Sequence, residues 1–315
     1  MVDSVVDMIT AEGLTKRFGD KTAVQDVSFT VQPGTVTGFL GPNGAGKSTT
    51  MRMIVGLDRP TSGIATVGGR EYRKLRAPLT EVGVLLDAKA VHTGRTARNH
   101  LRAMAATHGI PASRVDEVID LAGIGPVARK RAGKFSLGMG QRLGIASALL
   151  GDPHTLILDE PVNGLDPEGV RWVRQFVRHA ASEGRTVLLS SHLMSEMAQT
   201  ADHVIVMGRG QVLADAALPE LVRSWTRASV LVRTPRAADL ASSLSGPEVE
   251  IVTTGPETLE VNGIPASRIG DVAAAERIPL HELTPTTGSL EDAYLALTGE
   301  SVEYRSSVAN PEEIS

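Results

Sequence analysis

The stretch GPNGAGKST, residues 41–49, decides how the rest of this sequence is interpreted. It fits the pattern G-x-x-x-x-G-K-[ST], it follows an apolar run at 35–40, and it precedes a stretch with helical character at 50–57. Small residues let successive backbone N–H groups turn towards a phosphate, and the following helix presents the positive end of its dipole. The segment therefore predicts a phosphate-binding loop between a strand and a helix. A chance glycine turn is the alternative, which this setting disfavours.

Different residues of this loop are expected to contact different parts of a nucleoside triphosphate. Lys47 can reach the β- and γ-phosphate oxygens, and the Ser48 hydroxyl can ligate Mg²⁺. The loop alone does not choose among GTPases, kinases and transport ATPases, although the chain has no N-K-x-D segment of the kind that reads guanine, which disfavours a GTPase. A nucleoside triphosphate with Mg²⁺ is therefore the predicted ligand. The other loop residues expected to contact it are Gly41, Asn43, Gly44, Ala45, Gly46 and Thr49.

A second motif, LILDE at residues 156–160, is an apolar strand that ends in two acids. Asp159 can hold the Mg²⁺ shell, while Glu160 points elsewhere and can polarise the attacking water. An acidic pair at a strand end is often only a solvated loop. Because this pair follows a phosphate loop in an α/β chain, the catalytic interpretation is favoured.

The remaining sequence alternates strand-like and helical segments. β-rich runs with turns occupy residues 8–40, a helical block occupies 96–150, and strand signals return at TLILDEP, TVLLSSH and HVIVMGRGQVLA. This alternation is typical of a parallel α/β sheet. Residues from about 219 to 300 read as β-α-β-β-α-β with a terminal helix, the ferredoxin-like order, with a loosely ordered extension as the alternative. The polar residues 301–315 are expected to form a flexible tail.

Together, these motifs resemble the nucleotide-binding domain of the ABC ATPase family over about residues 8–218. The resemblance implies a P-loop NTPase of α/β class with a RecA-like core, an antiparallel β subdomain and a helical subdomain at about 90–150. The segment FSLGMGQR, residues 135–142, looks like the family's LSGGQ signature. It keeps Ser136 and, as Gly138, the second glycine. In the family this segment contacts the ATP held by the opposite subunit, whereas a plain N-capped helix is the alternative.

Four further positions take their expected roles from the same resemblance. Phe18, in KRFG, stands where the family has an aromatic that stacks on adenine, although an isolated Phe is more often core. Asp166, in NGLD, is similar to the D-loop at the dimer seam, and His192 matches the switch histidine that contacts the γ-phosphate. Asp87 replaces the usual glutamine that senses Mg²⁺ and the transport partner; its carboxylate can still ligate a hard cation. The expected catalytic residues are Lys47, Glu160 and His192, and the expected metal ligands are Ser48, Asp87 and Asp159.

The resemblance implies an ATP-hydrolysing subunit that forms a head-to-tail homodimer around two MgATP and drives a separate transmembrane permease. No run reaches the roughly 18 apolar residues that span a bilayer, and the N-terminus has acids where a signal peptide needs basic charge. We therefore expect a peripheral protein at the cytoplasmic face of the membrane, with the permease docked near 87–105. The region 219–300 resembles the extension of bacterial drug-resistance and antibiotic exporters, which favours export.

The charge, the cysteine content and the motif content of the sequence disfavour several other classes of function. A net charge of −4 and a pI near 6.1 disfavour a nucleic-acid partner, and the lack of cysteine excludes disulfides and thiolate metal sites. A translation or DNA-repair ABC protein would need a second cassette or a long coiled-coil insertion, and the chain has neither. An ATP-gated regulatory module that does not drive transport remains open as the alternative.

Overall fold

The computed structural model describes residues 8–225, 229–247, 249–286 and 288–298. The chain divides into two compact units that meet in sequence at Leu218 and Pro219. The tail expected at 301–315 lies outside the described residues. Within the described ranges, no helix combines the length and the apolar character needed to cross a bilayer.

The first unit contains nine strands and seven helices among its described residues, and an eighth helix starts at its end. In chain order these are β1 (Ile9–Phe18), β2 (Lys21–Val31), β3 (Val36–Leu40), α1 (Lys47–Ile54), β4 (Ser62–Val67), α2 (Pro78–Glu81), β5 (Val82–Leu85), α3 (Ala97–Thr107), α4 (Ala112–Leu121), α5 (Leu137–Leu149), β6 (Thr155–Leu158), α6 (Pro167–Ser182), β7 (Thr186–Ser191), α7 (Met194–Thr200), β8 (His203–Gly208), β9 (Gln211–Ala217) and α8 (Leu218–Trp225).

A six-stranded sheet in the order β5-β6-β7-β3-β8-β9 forms the centre of this unit. Neighbouring strands from β5 to β8 in this order pair in parallel. The edge strand β9 pairs with β8 in the antiparallel direction. Strands β3, β6 and β7 are buried along their whole length, as expected for a parallel sheet covered on both faces. The carboxyl ends of these three strands therefore lie side by side at one edge, which places the motifs that follow them close together.

A three-stranded antiparallel sheet, in the order β2-β1-β4, packs beside the central sheet. Phe29 of β2 meets Phe39 of β3 edge to face, with ring centroids 5.2 Å apart. Both rings belong to one apolar core that also includes Ile157 and Leu188 of the central sheet. The antiparallel β subdomain that the resemblance implied is therefore present, and β4 is a strand that the sequence analysis did not identify.

Helices α3, α4 and α5 form the helical part of the first unit. They pack against one another, and α5 also packs on β5. The Thr96 hydroxyl caps α3 by accepting a hydrogen bond from Asn99 N at 3.2 Å. The helical subdomain that the resemblance implied is therefore present, and its bounds of about 90–150 stay a prediction.

The second unit is a small α+β fold. Its elements are β10 (Ser229–Arg233), α9 (Ala237–Leu244), β11 (Glu250–Gly255), β12 (Thr258–Asn262), α10 (Ala266–Ala275), β13 (Glu282–Thr286) and α11 (Leu290–Thr298). The sheet order is β11-β12-β10-β13, with every neighbouring pair antiparallel. Val232, Val261 and Ile269 are fully buried in its core. The element and strand orders are those of the ferredoxin-like pattern predicted from the sequence.

Candidate functional site

The glycine loop between β3 and α1 has the shape that a phosphate requires. Gly46 precedes α1 with φ of 107°, and a Cβ at that position would lie 2.9 Å from the carbonyl oxygen of Ala23. Glycine is therefore the residue that both the backbone angle and the neighbouring chain allow. The Gly46 carbonyl is held by Thr50, whose N–H and hydroxyl donate to it at 2.9 Å and 3.0 Å.

Lys47 is enclosed by this loop, with an exposed fraction of 5%. Its ammonium donates to the carbonyl oxygens of Gly41 at 2.6 Å and Pro42 at 3.1 Å. Burial lowers the pKa of Lys47, and the nearby carboxylates of Glu160 and Asp159 act in the opposite direction. A buried cation between loop carbonyls and two acids is suited to transfer its hydrogen bonds to phosphate oxygens.

The other residues predicted in this loop differ in exposure. Ser48, Asn43 and Gly44 are exposed, Thr49 is half-buried, and Gly41 and Ala45 are buried. Ser48 is therefore accessible at the surface, and it follows the buried Lys47 in the chain. This placement is compatible with the metal-ligand role predicted for Ser48.

The two acids after β6 are held by residues of the neighbouring strands. Asp159 N donates to the carbonyl oxygen of Leu85 at 2.7 Å. The hydroxyl of Ser190, in β7, donates to Asp159 Oδ1 at 2.5 Å and accepts from Glu160 N at 2.9 Å. Sequence analysis did not identify Ser190 as a site residue. The one sequence feature that could have indicated its role is its position near the end of β7, the strand next to β6.

Glu160 and His192 meet across the ends of β6 and β7. Nδ1 of His192 lies 2.8 Å from Oε2 of Glu160. An ionised carboxylate only accepts, so in this pair Nδ1 carries the proton and Nε2 is the ring nitrogen available on the far side. The Glu160 side chain is 21% exposed and that of His192 is 42% exposed, so both can be reached from solvent.

The segment containing Ser136 begins α5, as the sequence predicted. The Ser136 hydroxyl accepts a hydrogen bond from Met139 N at 3.3 Å and so caps the helix. This first turn packs against the NGLD segment: a Cβ on Gly138 would lie 3.0 Å from the Gly164 carbonyl, and a Cβ on Gly164 would lie 2.3 Å from Leu137 Cδ2. The two segments are therefore in contact within one chain.

Gln141, one turn further along α5, is a second site residue that the sequence analysis missed. It is 4% exposed, and its Nε2 donates to the carbonyl oxygen of Glu160 at 2.7 Å. The predicted segment FSLGMGQR contains this glutamine, but sequence alone did not indicate that its side chain faces the acidic strand.

The remaining predicted residues lie at the surface. Phe18 is 52% exposed, and the ammonium of Lys16 lies 4.9 Å from its ring centroid. Asp87 is exposed, with Oδ1 accepting from Lys89 N at 2.8 Å in a local turn. Asp166 is exposed and caps α6, because its Oδ1 accepts from Gly169 N at 2.8 Å. Each aspartate thus has one carboxylate oxygen engaged in local backbone structure.

Comparisons with known proteins agree with this fold. A family model described as "ABC transporter" matches residues 24–163. A model of a domain of unknown function, DUF8746, matches 228–291. An AAA-domain model, described as a putative AbiEii toxin of a type IV toxin–antitoxin system, matches 130–198 within the first unit.

Individual relatives match a larger share of the chain than the family models do. The chain is 33% identical over 311 residues to the "Uncharacterized ABC transporter ATP-binding protein YhcH" of Bacillus subtilis, covering 94% of this chain and 97% of that protein. It is 41% identical over 211 residues to the "Bacitracin transport ATP-binding protein BcrA" of Bacillus licheniformis, covering 66% of this chain and 69% of that protein. A solved structure titled "Structure of ATP binding subunit of ABC transporter" has a TM-score of 0.63 and 25% identity, and covers 69% of this chain and 92% of that one.

Proposed function

This chain belongs to the family of ABC transporter ATP-binding proteins, and from that membership we propose that it hydrolyses MgATP to drive a separate membrane permease. Domains of this family bind ATP, and its members hydrolyse it. The observation that carries the proposal is the juxtaposition of the Glu160–His192 pair with the buried Lys47. A base, a histidine and a cation are the groups that attack of water on a γ-phosphoryl group calls for.

In the proposed reaction, water attacks the γ-phosphoryl group and Glu160 accepts the proton that the water loses. Lys47 and His192 stabilise the negative charge on the phosphoryl oxygens. Ser48, Asp159 and Asp87 would hold Mg²⁺, which neutralises charge between the β- and γ-phosphates when it is bound. These three residues offer only oxygen donors, which is the ligand type that this hard cation prefers. Phe18 would stack on the adenine, because its ring is exposed beside a lysine.

We also propose that the working form is a homodimer, with each ATP held between the loop of one chain and the Ser136 helix of the other. The support comes from the start of α5. Ser136 caps the helix and Leu137, which follows it, is 44% exposed, so this turn is available to another molecule. A capped helix N-terminus offers N–H groups and a positive dipole end to a phosphate. Gly138 packs against Gly164 and Leu165, and Asp166 is the next residue in the chain.

The proposed permease dock lies near residues 87–105, which would make the protein peripheral to the cytoplasmic face of the membrane. A cavity of about 310 Å³ supports this location. It lies between the segment that follows β5 and the start of α5, and its lining includes Ala88, Lys89, Val91, Thr93, Phe135 and Leu143. An apolar segment of the permease that occupied this cavity would therefore contact both the segment around Asp87 and the start of α5. The resemblance of the region 219–300 to the extension of bacterial drug-resistance and antibiotic exporters favours export as the direction.

Co-expression with the membrane protein of the neighbouring reading frame tests the proposal. We expect the chain to co-purify with that protein in membranes and to hydrolyse ATP faster in the complex. Recovery with a soluble regulator instead, together with hydrolysis that no membrane protein stimulates, would favour the regulatory-module alternative. A purified chain that does not bind MgATP would contradict both readings.

A further inference from the structure

Glu160 has a backbone conformation that needs support from its neighbours. Its φ is 49°, in the left-handed region that residues with a Cβ seldom adopt. Such a residue costs about 1–3 kcal/mol and persists only where surrounding contacts hold it. The conformation matters because it directs the proposed base towards His192 instead of along the strand.

Hydrogen bonds hold the backbone of Glu160 at both ends. Its N–H donates to the Ser190 hydroxyl at 2.9 Å. Its carbonyl oxygen accepts from Gln141 Nε2 at 2.7 Å and from Asn163 N at 3.1 Å. Ser190 lies in the neighbouring strand β7, and Asn163 follows Glu160 by three residues in the chain. Gln141 is the contact that comes from a helix, the one whose first turn carries Ser136.

The burial of Gln141 argues that this contact has a role beyond packing. The residue is 4% exposed, and in the described part of the chain its Oε1 is buried without a hydrogen-bond partner. A buried acceptor without a partner costs about 1–3 kcal/mol, so an apolar residue of similar size would suit a position that serves only the core. The buried amide instead places its N–H within hydrogen-bond distance of the Glu160 carbonyl oxygen.

We propose that Gln141 is a positioning residue for ATP hydrolysis, holding the backbone of Glu160 so that the carboxylate faces the attacking water. The inference rests on the proposed function, in which Glu160 is the base. It adds a physical link: the helix that begins at Ser136, and so would meet the partner's nucleotide, also holds the base of its own chain.

Gln141→Met tests this, because methionine keeps the length of the side chain and removes the N–H donor. Ser147→Ala is the matched control: Ser147 lies on the same helix and its hydroxyl donates to Leu143 O. For the full-length protein we would measure kcat and KM with MgATP, and ADP affinity by calorimetry. We expect Gln141→Met to lower kcat about tenfold, the size of one buried hydrogen bond, with KM and ADP affinity unchanged. Ser147→Ala should match the wild type.

A second comparison separates positioning of Glu160 from general loosening of the helix. In a Glu160→Gln background the base is already absent, so adding Gln141→Met should leave the residual rate unchanged. If Gln141→Met fails to fold, Gln141→Leu also removes the N–H donor. The same kcat, KM and ADP-affinity results are then expected of Gln141→Leu.

Three results would overturn the inference. They are an unchanged kcat in Gln141→Met, a parallel loss of ADP affinity, or a further loss of rate in the Glu160→Gln background. If the wild type hydrolyses ATP normally, each of these results contradicts the inference about Gln141 and leaves the proposed function intact. A wild-type protein that binds ADP but never hydrolyses ATP would instead remove the proposed function and this inference together.

Discussion

His192 Nδ1 lies 2.8 Å from Glu160 Oε2 and joins the end of β7 to the end of β6. The ring is therefore oriented by the same carboxylate that is proposed to accept a proton from water. Because the pair spans two neighbouring parallel strands, its geometry depends on the sheet and not on one flexible loop. Either partner can be replaced without breaking the strands, so the pair is open to direct tests.

Glu160→Gln should abolish most hydrolysis and retain ATP binding. The amide oxygen can still accept from His192 Nδ1, but it cannot take a proton from water. Loss of a general base typically lowers the rate about 10²–10⁴-fold. Phosphate release would measure the rate, and size-exclusion chromatography in saturating MgATP should detect an accumulated dimer. Glu168→Gln, in the exposed first turn of α6, is the control. Turnover at the normal rate would remove Glu160 from its role.

Phe18→Ala should weaken ATP binding without reducing stability. The ring is 52% exposed, so its removal costs the core little. Stacking of a base on an aromatic ring contributes about 1–3 kcal/mol, which predicts a rise in Kd of about tenfold or more. Equilibrium binding of ATP measures the change, and Leu57→Ala, at a residue 59% exposed, is the control. An unchanged Kd would show that the adenine lies elsewhere.

Asp87→Gln should retain basal hydrolysis. One oxygen of Asp87 accepts from Lys89 N, so the side chain is engaged in its own turn, and glutamine offers an oxygen ligand with longer reach. Asp159→Asn is the comparison, and in that variant we expect hydrolysis to fall sharply. Steady-state ATPase assays at several Mg²⁺ concentrations distinguish the two. Total loss of activity in Asp87→Gln would show that the acid is an essential ligand.

Gly164→Ala should destabilise the protein more than Gly184→Ala does. Both glycines have positive φ, 73° and 89°, so alanine carries a similar backbone cost of about 1 kcal/mol at each. A Cβ at Gly164 would also lie 2.3 Å from Leu137 Cδ2, whereas a Cβ at Gly184 would meet nothing within 4 Å. We expect about 1–3 kcal/mol of additional loss at Gly164 by urea unfolding. Equal losses would show that the first turn of α5 does not rest on this segment.

The stability of the nucleotide-free protein should carry a pH dependence from Lys47. Burial lowers the pKa of Lys47 below its ordinary value of 10.5. Between the lowered and the ordinary pKa the unfolded chain binds more protons than the native one, so stability rises with pH through that window. Lys47→Met lacks this contribution.

The difference in free energy of unfolding between wild type and Lys47→Met should therefore shift in favour of the wild type as the pH approaches 10.5. Urea unfolding across this range measures it. The exposed Lys89 supplies the matched control, Lys89→Met. A wild-type advantage that falls with rising pH would contradict the burial of a charged lysine.

Local sequence patterns predicted the elements that have strong local signals. Ser136 marks the start of α5 because its hydroxyl accepts from the N–H three residues on and so caps the helix. The buried strands β3 and β6 follow from short, mostly apolar runs. Weaker signals predicted less. HVIVMGRGQVLA predicts strand structure, and in the fold Arg209, with φ of 49°, and Gly210 form the turn of the β8–β9 hairpin. β4 was missed because its run begins with Ser62 and Gly63, residues with low strand preference.

By itself, the sequence determined the phosphate loop, the acidic strand and the order of the α/β elements, since each depends on residues within a few positions of one another. Only the tertiary structure decided that Ser190 holds both acids and that Gln141 reaches Glu160. Those contacts join residues that are distant in the chain, and the pairing of strands and the packing of α5 bring them within hydrogen-bond distance. No periodicity of a single segment encodes such an approach, because it depends on how separate segments pack.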